Sequence, residues 1–131
     1  MVLGLYYNIM LMKKLIIFNS RDGLLRLDAE RIVYFEADGN YTRVVSMNQL
    51  KAILGCNLSQ TEHALTTQLA EEVRNFMRIG KRFIVNLDYV YNINIAKQCL
   101  ILSDMKHFAF QLPISREALK KMKELMIIAK I

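Results

Sequence analysis

The sequence predicts a mostly β fold in which short strands are covered by two α-helices. Three observations predict it: short runs rich in β-branched and aromatic residues, turn residues at regular intervals between those runs, and only two segments with helical periodicity. The chain has 131 residues, of which 53% are hydrophobic, with one proline and five glycines. This composition is typical of a single folded domain and not of a disordered chain.

The first half of the sequence predicts a series of hairpins. Two short β patterns, KLIIFNS and GLLRL, begin at Lys14 and are joined by the turn Ser20–Gly23. Strands are next predicted over Arg31–Ala37 and Tyr41–Ser46, because the Asp-Gly-Asn between them tolerates positive φ. A further strand is predicted around Gln49–Leu54.

The first helix is predicted by a capping box. Ser59-Gln60-Thr61-Glu62 has the required spacing, and a helix of about three turns follows from it. Apolar residues lie mostly on one stripe of this helix: Leu58, Ala64, Leu65, Leu69 and Val73. We therefore expect the helix to cover a sheet.

The second half predicts five more strands and a closing helix. The strands are Phe76–Ile79, Phe83–Val85, Tyr89–Ile95, Cys99–Leu102 and His107–Leu112. Pro113 ends the last strand and Ser115 caps the helix. An apolar stripe is predicted on this helix at Ala118, Leu119, Met122, Leu125, Met126 and Ala129.

The positive charge is concentrated in the second half of the chain. Of the net +6, residues 1–72 contribute seven Lys or Arg against eight Asp or Glu, and residues 73–131 contribute eleven against four. The second half therefore carries +7, which favours a polyanionic partner. A solvated basic face without a partner is the alternative.

The N-terminal segment MVLGLYYNIMLM is apolar but too short to span a bilayer, and positive charge follows it instead of preceding it. We interpret residues 1–11 as an extension of the chain and residues 12–131 as one cytoplasmic domain without a membrane partner. Cys56 and Cys99 are far apart in sequence, which favours free thiols in a reducing compartment.

Catalytic and metal-binding patterns are missing from the sequence. His63 and His107 have no Cys, Asp or Glu at ligand spacing, and there is no glycine-rich phosphate loop, nucleophile elbow or HExxH motif. We therefore predict a protein that is not an enzyme and that needs no metal or other cofactor.

Basic residues cluster between Glu72 and Asp88, a stretch without carboxylates. Its cations are Arg74, Arg78, Lys81 and Arg82. A turn at Gly80-Lys81-Arg82 between two apolar strands would present two cations at a tip, where they can meet guanine O6 and N7 or a phosphate. A solvated loop is the alternative interpretation.

Three segments together resemble the LytTR (LytR/AgrA-like) DNA-binding domain of bacterial transcription regulators. They are RIVYFEADGNYTRV from Arg31, FMRIGKRFIVNLDYVYNI from Phe76 and LPISREALKKMKEL from Leu112. The resemblance covers roughly Lys14 to Met126. It implies an elongated arrangement of three small antiparallel sheets that binds duplex DNA by inserting loops into successive major grooves. Family members are often fused to a receiver domain, which this sequence does not contain.

The resemblance also implies DNA-contacting residues. At the first segment, Thr42 and Arg43 correspond to base-contacting positions, and Asn40 to a turn residue that can donate to a phosphate. Glu36 is expected to pair with a local arginine or with backbone amides, and Tyr41 to be structural.

In the second segment the chain keeps Arg78 and Lys81 of the family pattern, together with Phe83, Val85 and Asn86. It departs from the pattern with Gly80 in place of a histidine and Arg82 in place of a serine. In the third segment, the apolar-Ser-Arg motif is matched directly by Ser115 and Arg116.

Arg116 corresponds to a base-contacting residue, and the free N–H groups of the helix start after Ser115 suit a phosphate. Lys120 is a further phosphate candidate. The predicted partner is double-stranded DNA, with a second copy on an adjacent half-site left open. Two other functions remain open: an RNA-binding module, and a protein-interaction β module that has lost DNA contact.

Overall fold

A computed structural model describes residues 3–5, 14–69 and 75–129. Most of the predicted extension, residues 1, 2 and 6–11, lies outside this described part of the chain, as do Val73 and Arg74. In chain order the elements are β1 Leu15–Ser20, β2 Gly23–Asp28, β3 Ile32–Asp38, β4 Tyr41–Ser46, β5 Lys51–Leu54, α1 Leu58–Leu69, β6 Phe76–Ile79, β7 Phe83–Asn86, β8 Val90–Asn94, β9 Cys99–Ser103, β10 Ala109–Pro113 and α2 Arg116–Ala129.

The strands form three antiparallel sheets, which confirms the mostly β fold with two covering helices. A hairpin pairs β1 with β2, a three-stranded sheet has the order β10-β9-β8, and a five-stranded sheet has the order β5-β4-β3-β7-β6. Across the described ranges, no helix has the length and apolar character needed to cross a membrane.

The five-stranded sheet is central because its two faces are covered by different elements. One face packs against α1 and the β1–β2 hairpin, with Phe35, Val44 and Leu65 fully buried there. The opposite face packs against the three-stranded sheet and α2, where Leu100 and Leu119 are fully buried. Each such side chain contributes about 1.5–3 kcal/mol to folding by leaving water.

The cap of α1 differs from the predicted one. The backbone N–H of Asn57 donates to Gln60 Oε1 at 2.9 Å, and the N–H of Gln60 donates to Asn57 Oδ1 at 2.8 Å, which is a reciprocal capping box two residues earlier than expected. The predicted box, Ser59 to Glu62, is wrong because α1 begins at Leu58 and Ser59 therefore lies inside the helix, where its hydroxyl accepts a hydrogen bond from Arg78.

The start of α2 agrees with the sequence. The Ser115 hydroxyl accepts a hydrogen bond from the Ala118 N–H at 3.3 Å, as an N-cap does. The predicted apolar stripe is buried at Leu119 and Met122, whereas Leu125 is half exposed.

The two cysteines are free thiols in different surroundings. Cys99 is buried, and Cys56 is half-buried with its Sγ 3.4 Å from the Thr61 hydroxyl.

Candidate nucleic-acid interface

The turn between β3 and β4 is a tight two-residue connection. Asp38 pairs with Tyr41, so that only Gly39 and Asn40 lie between the strands. Gly39 has a φ of +60°, which a residue without Cβ adopts at no steric cost. Asn40 is exposed at the tip, where its amide can reach a ligand.

The turn between β6 and β7 carries the predicted pair of cations. Ile79 pairs with Phe83, and the three residues between them form the turn. Gly80 has a φ of +62°, and Lys81 and Arg82 that follow it are exposed.

Both turns lie at the same end of the central sheet. Because β3 is antiparallel to β4 and to β7, the end of β3 lies beside the start of β4 and the start of β7. The Ala37 N–H also donates to the Arg82 carbonyl oxygen at 2.8 Å, which fastens one turn to the other.

Glu36 bridges the two turns. It is opposite Arg43 on β4 and opposite Phe83 on β7. Its Oε1 accepts a hydrogen bond from Arg43 Nη1 at 3.1 Å, and its Oε2 accepts from Arg82 Nε at 3.0 Å and Arg82 Nη2 at 2.8 Å. This confirms the expected pairing of Glu36 with a local arginine and adds a second arginine that the sequence did not indicate.

The two arginines that bind Glu36 each make one further contact, with the Asp38 carboxylate or with the Phe83 ring. Arg43 Nη2 donates to Asp38 Oδ2 at 3.3 Å, and the Arg82 guanidinium lies 5.0 Å from the centroid of the Phe83 ring. Two carboxylates therefore face two guanidinium groups. We call the set Glu36, Asp38, Arg43 and Arg82 the tip cluster; its formal charges cancel.

Tyr34 lies at the inner side of the tip cluster. Burial raises the pKa of its hydroxyl above the ordinary value, and the nearby Glu36 carboxylate raises it further, while Arg43 and Arg82 lower it. Its ring makes edge contacts with Phe83 and with Phe110 of β10, at centroid distances of 6.2 and 5.5 Å. The three-stranded sheet is thus in contact with the region below the turns.

Thr42 is not accessible to DNA, so its predicted base contact is wrong. Its exposed fraction is 0%, its hydroxyl donates to the Cys56 carbonyl oxygen at 2.9 Å, and it accepts from the Thr61 hydroxyl at 3.2 Å. The physical reason is strand alternation: Thr42 and Val44 point to the face covered by α1, whereas Arg43 points to the other face.

Arg78 is engaged within the protein. Its Nε donates to the Gly80 carbonyl oxygen at 3.2 Å, and its Nη1 donates to Ser59 Oγ at 2.9 Å and to Glu62 Oε1 at 3.3 Å. These bonds connect the β6–β7 turn to the first turn of α1. The predicted DNA contact of Arg78 stays a prediction, and it would compete with these bonds.

The third predicted segment packs over the face of the central sheet that carries Glu36. Ile114, immediately before Ser115, is buried in the same cluster as Tyr34 and Phe83. Ser115 is exposed at the N-cap of α2, and Arg116 and Lys120 are exposed on the helix itself. No hydrogen bond or ion pair within residues 14–69 and 75–129 joins Arg116 to the turns, so the convergence of all three segments on one edge stays a prediction.

Metal-ligating side chains are scattered over the part of the chain that the structure describes. No group of three or more His, Cys, Asp or Glu side chains is close enough there to hold a metal ion.

Comparison with known proteins finds a family whose sequence model matches this chain and a solved structure with a similar fold. The sequence model of the family described as the LytTr DNA-binding domain matches residues 22–127. No curated protein matches the chain.

Among solved structures, the chain is similar to one from Bacillus cereus described as the LytTr DNA-binding domain of a methyl-accepting/DNA response regulator. The two share 20% sequence identity with a TM-score of 0.61, over 86% of this chain and 95% of that one. At this identity the structural likeness shows the fold alone.

Proposed function

The chain belongs to the LytTR family of DNA-binding domains, and from this premise we propose that it binds double-stranded DNA sequence-specifically and acts as a bacterial transcription regulator. In this proposal its exposed turns enter successive major grooves. A major groove about 12 Å wide admits a two-stranded ribbon, and base edges there distinguish all four base pairs.

The observation that carries the proposal is the pairing of two short turns at one end of a rigid sheet. The turns hold Asn40 and Lys81 exposed, with the Arg82 guanidinium beside them. Donors on short loops held by an apolar scaffold suit base edges and phosphates, because the scaffold removes the entropy cost of ordering them.

Lys81 is a cation of this end that can bind a new partner without giving up an ion pair to another described residue. Arg43, Arg78 and Arg82 each form an ion pair with a carboxylate, whereas no ion pair of Lys81 occurs among residues 14–69 and 75–129. An ammonium group at a tip can contact guanine O6 and N7 or a phosphate.

The proposed roles of the other residues follow from their placement. Arg43 offers its remaining donors to a base edge, and Arg82 and Asn40 contact phosphates. On α2, Arg116 reaches a base edge, the first-turn N–H groups after Ser115 receive a phosphate, and Lys120 contacts the backbone of the DNA. Thr42 takes no part, because it is buried.

Selection of bound fragments from random duplex DNA tests the proposal most directly. We expect a recurring sequence, and affinity for it should fall on the order of a thousandfold between ~50 and ~200 mM salt if about six phosphates are neutralised. A footprint of two half-sites would indicate a second copy on the DNA.

Two outcomes would overturn this function. A preference for single-stranded RNA in competition binding would indicate an RNA-binding module. The absence of salt-sensitive binding to any duplex would indicate a protein-interaction module. We also propose that the protein is cytoplasmic, and its recovery with chromosomal DNA from the bacterial cytoplasm would support this location.

A further inference from the structure

Glu36 occupies the centre of the tip cluster, and we propose that it is a specificity-determining residue of the DNA interface. In this role Glu36 restricts Arg82 to phosphates that its free donors can reach and holds the Arg43 guanidinium group in one orientation toward a base edge, so that only a matching DNA geometry is bound. The inference rests on the proposed function and names the residue that would make its binding selective.

The geometry leaves both arginines partly free for a ligand. A guanidinium group has five N–H donors in a planar fork. Arg82 uses Nε and Nη2 toward Glu36, and Arg43 uses Nη1 toward Glu36 and Nη2 toward Asp38. Each arginine therefore retains about three donors, and those donors are aimed by the carboxylates behind them.

The anchor for this orientation is rigid. Glu36 lies in β3, which is hydrogen-bonded to a strand on both sides, and its side chain is only 14% exposed. The Arg82 side chain is 59% exposed, and its backbone is fixed by the bond from the Ala37 N–H. The Glu36 carboxylate is thus largely buried and the Arg82 guanidinium group is exposed to solvent. This is the arrangement expected when a buried residue positions an exposed one.

Because its formal charges cancel, the tip cluster has little net electrostatic attraction for DNA. Non-specific binding comes almost wholly from cations that replace counterions on phosphates. With the charges of the tip cluster cancelled, that contribution is small at the turns, and Lys81 adds one charge that has no ion pair in the described part of the chain. Directed hydrogen bonds then account for more of the affinity, which raises the ratio of specific to non-specific binding.

Glu36→Gln tests this inference, with Glu30→Gln as the matched control. Both substitutions remove one negative charge from an ion pair. Glu36 pairs with Arg82 and with Arg43, which keeps Asp38 as a second partner, and Glu30 pairs with Lys14 at 3.4 Å. Glu30 precedes β3 at the end of the sheet away from the turns. Binding is measured by fluorescence anisotropy over a salt series, on a random-sequence duplex and on a duplex selected by the wild-type protein.

For Glu36→Gln we expect the salt slope on the random duplex to steepen by about one, since each added phosphate contact contributes about 0.9. The selected-to-random affinity ratio should fall by about fivefold or more, as expected for a lost oriented contact. Glu30→Gln should leave that ratio unchanged. Equal slopes and equal ratios for the two variants would overturn the inference while the proposed function stands.

Arg43→Lys keeps the test independent of how well Glu36→Gln folds. Lysine preserves the charge, but its ammonium group cannot reproduce the planar fork that Arg43 offers to Glu36 Oε1 and Asp38 Oδ2. We expect the selected-to-random ratio to fall with little change in salt slope. An unchanged ratio would count against the inference, and a wild-type protein that binds no duplex would instead overturn the proposed function.

Discussion

Asn86 Nδ2 donates a hydrogen bond of 2.8 Å to the backbone carbonyl oxygen of Ile32, 54 residues earlier in the chain. Asn86 is the last residue of β7, and its exposed fraction is 1%. Its Oδ1 also accepts from the Asp88 N–H at 3.0 Å, at the start of a 3₁₀ helix over Leu87–Tyr89. One side chain thus fixes the end of β7 to the start of β3 and caps the next segment.

Asn86→Ala should lower the free energy of unfolding by about 1–3 kcal/mol. The substitution leaves the buried carbonyl oxygen of Ile32 without its donor, and such a group retains its desolvation cost. The measurement is urea denaturation, in which the midpoint should fall while the slope m stays constant. Asn92→Ala removes an exposed amide of β8 and serves as the control. A loss equal to that of the control would show that the buried bond contributes nothing.

The tip cluster illustrates which contacts the sequence can predict. A two-residue turn at Gly39 and Asn40 fixes the register of its hairpin, and that register alone places Glu36 opposite Arg43. The bond from Arg82 to Glu36 spans 46 residues and depends on the pairing of β3 with β7. Nothing in the local pattern specifies that pairing, so the second arginine could not be predicted.

Two predictions, the capping box of α1 and the DNA contact of Thr42, are wrong because contacts far apart in the sequence determine both positions. Asn57 and Gln60 fit a capping box as well as Ser59 and Glu62 do, and the local spacing does not distinguish the two; in the structure Asn57 and Gln60 form the box, and Ser59 accepts a hydrogen bond from Arg78, 19 residues later in the chain. The family resemblance predicts that Thr42 contacts DNA, whereas strand alternation predicts that Thr42 and Val44 share one face of β4. Because both faces of β4 are covered, alternation alone cannot tell which residues lie in the core and which reach the DNA.

Lys81→Ala and Arg82→Ala should have different effects on DNA binding. Loss of Lys81 should cost about 1–3 kcal/mol on the selected duplex and relax the preference at one base pair, because a base contact is removed. Loss of Arg82 should weaken all duplexes alike, because a phosphate contact is removed. Anisotropy on selected and random duplexes measures both effects.

Lys51→Ala is the control for these variants, since Lys51 is exposed at the end of β5 away from the turns. It removes the same charge and should leave the sequence preference intact. Equal losses on selected and random duplexes for Lys81→Ala would remove the claim that Lys81 contacts a base.

Arg116→Ala should cost about 1–3 kcal/mol on the selected duplex and relax the preference at a different base pair from Lys81→Ala. The reason is that Arg116 begins α2, whereas Lys81 lies in the β6–β7 turn. Selection of random fragments by each variant identifies the affected position. The same relaxed position for both variants would contradict separate contacts.

Thr42→Val should reduce stability and leave sequence preference unchanged. The substitution removes a hydroxyl that donates to the Cys56 carbonyl oxygen in a fully buried place, at a cost of about 1–3 kcal/mol. Thr42→Ser retains the hydroxyl and provides the comparison. Thermal unfolding and binding to the selected duplex are measured on the same samples. A relaxed base preference with unchanged stability would restore Thr42 to the DNA interface.

Asp104 makes a contribution to folding stability that depends on pH only in the acid range. Burial by itself would raise the pKa of the Asp104 carboxyl, but hydrogen bonds from the backbone N–H groups of His107, Lys106 and Phe108, and from the His107 ring, hold that pKa well below its usual range. A carboxyl whose pKa is lower in the folded state contributes stability that is complete above its unfolded pKa and is lost as pH falls toward the folded one.

Asp104→Asn should therefore lower the free energy of unfolding at pH 7, because the amide accepts these bonds more weakly than a carboxylate does. The difference between wild type and variant should stay constant from pH 7 to about 5 and shrink below about pH 4, since unfolded Asp titrates near 3.9. Urea midpoints measured over this pH range, with Asp22→Asn as the control at a fully exposed carboxylate, provide the comparison. A difference that grows as pH falls would reverse the sign of this linkage and show that the Asp104 carboxylate does not stabilise the connection between β9 and β10, where its hydrogen bonds lie.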